Sequence, residues 1–117
     1  MNISTIEKGY RIFKENNGKI TRWFNESYIR GSLAYIESRP LIMINKNDSI
    51  DEQLKTLIHE LLHIGYEHDL LIKKPRQECA QDLEEKINQE TEEIFESCPD
   101  MIEILKKEIG TSFIVPD

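Results

Sequence analysis

The chain has 117 residues, 22 acidic against 15 basic side chains and a net charge of −7 at neutral pH. That length suits a single domain, and no basic stripe interleaved with aromatic residues indicates a nucleic-acid-binding surface. The uncharged apolar stretches are too short to span a membrane and no secretory signal pattern is visible, so we expect a cytoplasmic protein that binds neither membranes nor nucleic acids.

The first half of the chain predicts one helix followed by three strands. A capping box indicates that the helix begins at Ser4, and an Asn-Asn-Gly run favours its end. Residues 19–24, 28–36 and 41–45 are β-prone, and a turn joins the last two segments. The last segment is apolar throughout, and we expect it to be central or covered in a small, mostly antiparallel sheet.

The second half of the chain predicts three helices. A capping box at Ser49 opens the first, whose apolar residues keep a helical period until Gly65. Pro75 suits the first position of the second helix, which extends to about Ser97. Residues 99–109 predict a short third helix.

Four helices and a small sheet indicate the α+β class, in one domain over residues 1–117. We expect its core in residues 19–97, followed by a C-terminal helix and tail in residues 99–117. The tail, residues 111–117, contains an apolar segment that we expect to cover the core or to be disordered. The alternative is that it docks in the protein's own cleft or that of a second copy, giving self-inhibition or self-association.

The residues His59, Glu60 and His63 form the pattern H-E-x-x-H of zinc hydrolases. Four residues of an α-helix turn about 400°, so both imidazoles project from one face, about 6 Å apart along the axis. Two imidazoles placed in this way can share one tetrahedral metal ion. Glu60 is positioned to act as a general base toward a metal-activated water.

The segment around this motif is apolar except for Thr56. A buried helix whose polar groups are two histidines and a glutamate needs partners for them, because unpaired buried polar groups are costly. One divalent metal ion supplies such a partner. The alternative is a pair of core histidines bonded to carbonyl or carboxylate groups.

A catalytic zinc ion commonly has three protein ligands and one water. The chain has one further histidine, His68, and its two cysteines have no metal-site spacing that we recognise, which favours a carboxylate. On the helix predicted from Pro75 to about Ser97, Glu84 falls within the apolar stripe. An acid in that position is anomalous unless it is paired or bound to a metal. Glu84 is therefore the preferred third ligand, and Glu85 and His68 remain alternatives.

Residues from about 32 to 95 resemble the gluzincin metallopeptidases, in which a glutamate completes the zinc site. Within them the chain is most similar to the small ImmA/IrrE-type family, whose E-x-x-A-N pattern falls on Glu84 to Asn88, with Ile87 in place of alanine. The resemblance implies a zincin-like fold with one zinc ion and Glu84 as a ligand. A second similarity is to the minimal gluzincin-like peptidases, which are kept latent by their C-terminal segments.

Motif and resemblance together predict a zinc metalloendopeptidase that acts on a protein or peptide and is latent if its C-terminal segment blocks it. Family members are implicated in cleaving repressors and some are regulatory, so the alternative is a zinc-binding regulatory or interaction module without peptidase activity. Tyr66, His68 and Tyr35 are candidates for contacting the substrate or stabilising the oxyanion. An exposed strand edge within residues 28–45 is expected to bind an extended substrate.

Overall fold

The computed structural model of the protein describes residues 3–23, 30–73 and 80–116, except for the side chains of residues 68–73 and 80–81. The α+β class expected from the sequence is confirmed. In chain order the elements are α1 (Ser4–Glu15), β1 (Lys19–Trp23), β2 (Gly31–Ile36), β3 (Arg39–Asn45), α2 (Ile50–Lys73), α3 (Ala80–Ser97), α4 (Pro99–Gly110) and β4 (Phe113–Ile114). Every helix within the described ranges is too short or too polar to serve as a membrane span.

The sheet is mixed, with the strand order β2-β3-β1-β4. β2 and β3 form an antiparallel pair, whereas β1 is parallel to both β3 and β4. The prediction of a mostly antiparallel sheet is therefore wrong. The chain reverses direction from β1 to β2 and again from β2 to β3, so β1 and β3 run in the same direction. Because β3 lies between β1 and β2 in the sheet, β1 and β3 are parallel neighbours.

The predicted central position of β3 is confirmed, and its Ile42 and Ile44 are inaccessible to solvent. These side chains and the apolar residues of α2 form the middle of the core. Side chains of α1 and α4 are also buried in this hydrophobic core. The buried residues of these two helices include Ile6, Phe13, Leu105 and Ile109.

The helix α2 continues to Lys73, so the predicted end at Gly65 is wrong. A Cβ atom on Gly65 would overlap the carbonyl oxygen of Thr5, and one on Gly9 would overlap the carbonyl oxygen of Leu61. The two glycines therefore allow α1 and α2 to cross in backbone contact. Gly65 is a packing residue inside the helix, and this tertiary role outweighs its low helix propensity.

Only one of the two predicted capping boxes forms a cap. No side chain caps α1, whose N-cap is Ile3, whereas the Glu52 backbone N–H donates to Ser49 Oγ at 3.2 Å at the start of α2. The carboxylate of Glu52 is bound by Arg30 at 2.7 Å, because an arginine is a stronger partner than a backbone N–H. The predicted helix start at Pro75 lies outside the described residues.

The C-terminal tail adds β4 to the free side of β1, at the opposite edge of the sheet from β2. The Val115 backbone N–H donates to the Arg22 carbonyl at 2.8 Å, and Lys46 Nζ donates to the Val115 carbonyl at 2.9 Å. In this position the tail extends the sheet. Its roles in self-inhibition and self-association stay predictions.

Candidate metal centre

The side chains of His59 and His63 on α2 converge with that of Glu84 on α3. The Nε2 atoms of the two histidines are 3.2 Å apart. One carboxylate oxygen of Glu84 lies 2.9 Å from His59 Nε2 and the other lies 2.8 Å from His63 Nε2. These three residues form a group that could hold a metal ion, as the motif and the apolar stripe predict.

The spacing and chemistry of these donors fit a zinc ion. Ligand atoms at about 2.0–2.1 Å from a tetrahedral zinc lie about 3.3–3.4 Å from one another. The two Nε2 atoms are 3.2 Å apart and each lies 2.8 or 2.9 Å from a different oxygen of Glu84, so the donors are close to the spacing that a zinc ion requires. Imidazole nitrogens with a carboxylate oxygen are a common donor set for catalytic zinc.

The site is open to solvent on one side. The side chains of His59, His63 and Glu84 are 21%, 18% and 46% exposed. A cleft of about 400 Å³ adjoins His59 and Glu60, between the start of β2, the first half of α2 and α3. A substrate bound in this cleft would therefore lie beside His59 and Glu60.

Glu60 is the buried acid of the site, with 9% of its surface exposed. Burial raises the pKa of Glu60 to about 7; the nearby His63 opposes this shift, and the carboxylates of Glu84 and Glu67 add to it. A carboxylate that titrates near neutral pH suits a general base, because it can both accept and return a proton. Its position beside His59 in the cleft agrees with the role predicted from the motif.

Each histidine also has a partner outside the group of three donors. His63 Nδ1 lies 3.1 Å from Glu67 Oε1, and His59 is hydrogen-bonded to the side chain of Asn88. Burial lowers the pKa of His59 despite the neighbouring Glu84. Burial acts in the same direction on His63, but the Glu67 hydrogen bond and the surrounding carboxylates outweigh it and raise the pKa of His63.

Sequence reasoning missed Glu67. The signal that could have found it is its spacing of four residues from His63, which places both side chains on one face of α2. The family pattern did include Asn88, but it gave this residue no role. Its place on α3, one turn after Glu84, now supplies one: the partner of His59.

The other candidates are not all brought to the site. The Tyr66 hydroxyl donates to Glu90 at 2.5 Å, and Tyr66 does not line the cleft. Glu85 is exposed and lies outside the group of three donors. The side chain of His68 lies outside the described residues, so its alternative role as a ligand stays a prediction.

Tyr35 does lie near two acidic side chains of the site. Burial, followed by the charges of Glu67 and Glu60, raises the pKa of its hydroxyl. On β2, Tyr35 shares a face with Gly31, where a Cβ atom would overlap the Thr56 methyl group of α2. Tyr35 therefore belongs to the face of β2 that is turned toward α2.

A helix with H-E-x-x-H, a glutamate from the next helix and a small sheet define a minimal zincin-like domain. The Peptidase M78 family, described as the IrrE N-terminal-like domain, matches residues 7–109. The chain belongs to this family, which confirms the resemblance to the ImmA/IrrE-type proteins. No curated protein and no solved structure matches the chain.

Proposed function

We propose that the protein is a zinc-dependent endopeptidase in which His59, His63 and Glu84 hold the metal ion and Glu60 is the general base. The observation that carries this proposal is the convergence of three donors from two helices next to a buried glutamate. Membership of a peptidase family agrees with it. When bound, zinc supplies a Lewis acid that polarises the substrate carbonyl and lowers the pKa of a water molecule.

Glu60 performs the proton transfers of this reaction. It accepts a proton from the attacking water and then delivers that proton to the nitrogen of the leaving amine. Burial raises the pKa of Glu60 in the metal-free site, and a more basic carboxylate accepts the proton of water more readily. Burial supports the role further, since a carboxylate with little competing hydration is a better proton acceptor.

The proposed substrate is an extended segment of a protein or peptide that pairs with β2. This strand is at the edge of the sheet, and its face turned toward α2 extends from Gly31 near Thr56 to Tyr35 near Glu60 and Glu67. A strand added to this edge would lie alongside the metal donors. We propose that the hydroxyl group of Tyr35 on β2 contacts the bound substrate or the oxyanion.

The test of this function is Glu60→Gln, assayed with a library of fluorogenic unstructured peptides. We expect the variant to bind one zinc ion as the wild type does and to lose at least about 100-fold in kcat/KM, because only the proton acceptor is removed. Full activity in this variant would refute the role of Glu60. A wild type that binds zinc but hydrolyses none of the peptides would favour the zinc-binding regulatory module instead.

A matched pair of variants tests the third ligand. Glu84→Gln is expected to lose most of the zinc affinity, because a neutral amide replaces a charged donor, whereas Glu85→Gln next to it keeps the affinity. Equilibrium dialysis with zinc measures both variants. The opposite order would transfer the ligand role to Glu85.

A further inference from the structure

We propose that Glu67 is a positioning residue that holds the His63 ring in the orientation and tautomer required for metal binding; this inference rests on the metal site proposed above. The two residues are four apart on α2, and His63 Nδ1 lies 3.1 Å from Glu67 Oε1. The opposite nitrogen of the ring, Nε2, lies 2.8 Å from Glu84 Oε2. The ring is therefore held at both nitrogens.

The chemistry of imidazole explains why this contact matters. In the neutral ring one nitrogen carries a proton and the other has a free lone pair for a metal ion. An ionised carboxylate only accepts hydrogen bonds, so when a metal ion takes the place of a proton on Nε2, Glu67 accepts from Nδ1–H of His63 and favours the tautomer with the proton on that nitrogen. That tautomer leaves the lone pair on Nε2, the atom that faces His59 and Glu84.

The two histidines differ in the charge of the partner that each has outside the group of three donors. Asn88 gives His59 a neutral amide, whereas Glu67 gives His63 a carboxylate. A carboxylate makes the stronger hydrogen bond and makes the ring a more basic ligand. Glu67→Gln would give His63 the same kind of partner that His59 has, and Glu67→Ala would leave the ring without one from this position.

The experiment measures zinc affinity by competition with a chromophoric chelator. We expect Glu67→Ala to bind zinc about 10- to 100-fold more weakly than the wild type, and Glu67→Gln to recover part of the loss. The control is Glu103→Ala, which removes the same charge from a side chain that is 70% exposed and paired within α4. The side chain of Glu67 is itself 41% exposed, so its truncation should leave the fold intact, which circular dichroism of the zinc-free variants checks.

A second measurement reports the hydrogen bond directly. Long-range ¹H–¹⁵N spectra of the zinc-bound protein should show a proton on Nδ1 of His63 that exchanges slowly with water in the wild type, because Glu67 accepts it. In Glu67→Ala this proton should exchange faster, an effect that a purely structural role of Glu67 would not produce, and Glu67→Gln should retain part of the protection. Equal exchange in Glu67→Ala and the wild type would overturn the positioning role.

The outcomes separate this inference from the proposed function. Equal zinc affinity of Glu67→Ala and the wild type, or an equal loss in Glu103→Ala, would overturn the positioning role and leave the metal site standing. A His63→Ala variant that binds zinc as tightly as the wild type would overturn the metal site, and this inference with it. Zinc binding that depends on Glu67 without any peptide hydrolysis would support the positioning role while refuting the peptidase.

Discussion

The two sides of α2 are built in opposite ways. The side that meets α1 is in backbone contact through Gly9 and Gly65, with no room for even a methyl group. The side that meets α3 carries His59 and His63, which remain partly exposed beside a cleft. One face of the helix is therefore closed by tight packing, whereas the other keeps polar side chains outside the core, beside a cleft.

The largest expected effect on stability is that of Gly9→Ala, on the closed side of α2 that packs against α1. The added methyl group would overlap the carbonyl oxygen of Leu61, and two helix backbones would have to separate to accommodate it. We expect the free energy of unfolding to fall by about 3 kcal/mol or more. Chemical denaturation of the zinc-free protein measures this loss.

The matched control is Gly110→Ala at the end of α4, where a Cβ atom would meet nothing within 4 Å. Because alanine is the better helix former, this variant should be as stable as the wild type or more stable by up to about 1 kcal/mol. Equal stabilities of the two variants would show that α1 and α2 are not in close contact.

On the open side of α2, which meets α3, zinc binding should change the stability instead. At a free zinc concentration of about 100 times Kd, binding to the folded state adds about 2.7 kcal/mol to the free energy of unfolding. His63→Ala should lose this gain, and without zinc it should cost less stability than Gly9→Ala, because truncating the ring does not force two helix backbones apart. Denaturation with and without zinc measures both values, and a zinc-free His63→Ala protein as unstable as Gly9→Ala would erase the distinction between the two sides.

The sequence predicted the metal donors because local geometry sets them. The step from His59 to His63 places two side chains on one helical face, and the apolar stripe of α3 singles out Glu84. Both signals lie within single helices and need no knowledge of the fold. Glu67 obeys the same spacing rule, but a glutamate one turn after a histidine is also what a solvated helix face contains, so the pattern alone did not distinguish it.

Tertiary contacts decide the features that sequence reasoning got wrong. A glycine indicates a helix end by its backbone freedom, yet Gly65 lies inside α2 because α1 needs the space of its missing side chain. In the same way, the apolar pattern of β3 predicts a covered strand without showing on which side of β2 it lies. Only the packing of distant segments supplies that information.

Smaller effects on stability are expected from substituting two tyrosines, one on the side of α3 and one on the side of α1. Tyr66 donates to Glu90 at 2.5 Å and joins α2 to α3, whereas Tyr10 donates to Glu108 at 2.7 Å and joins α1 to α4. Tyr66→Phe should cost about 2 kcal/mol, because Glu90 already has one buried oxygen without a hydrogen bond partner. Tyr10→Phe should cost only about 1 kcal/mol, because Glu108 keeps Lys14 at 3.0 Å.

The pH dependence of stability gives a further test of both tyrosine contacts. Burial, followed by the hydrogen bond to the neighbouring glutamate, raises the pKa of Tyr10 and of Tyr66 from 10.0 to about 12. Since the folded state holds the phenolic proton more tightly, this stabilisation is complete below about pH 10 and is lost as the pH rises toward about 12. Each phenylalanine variant should therefore lose less stability than the wild type over this interval, as measured by denaturation at a series of pH values. If the free energy of unfolding of Tyr66→Phe changes with pH as steeply as that of the wild type, the contact with Glu90 does not hold α3 against α2. The packing of these two helices would then depend more strongly on bound zinc.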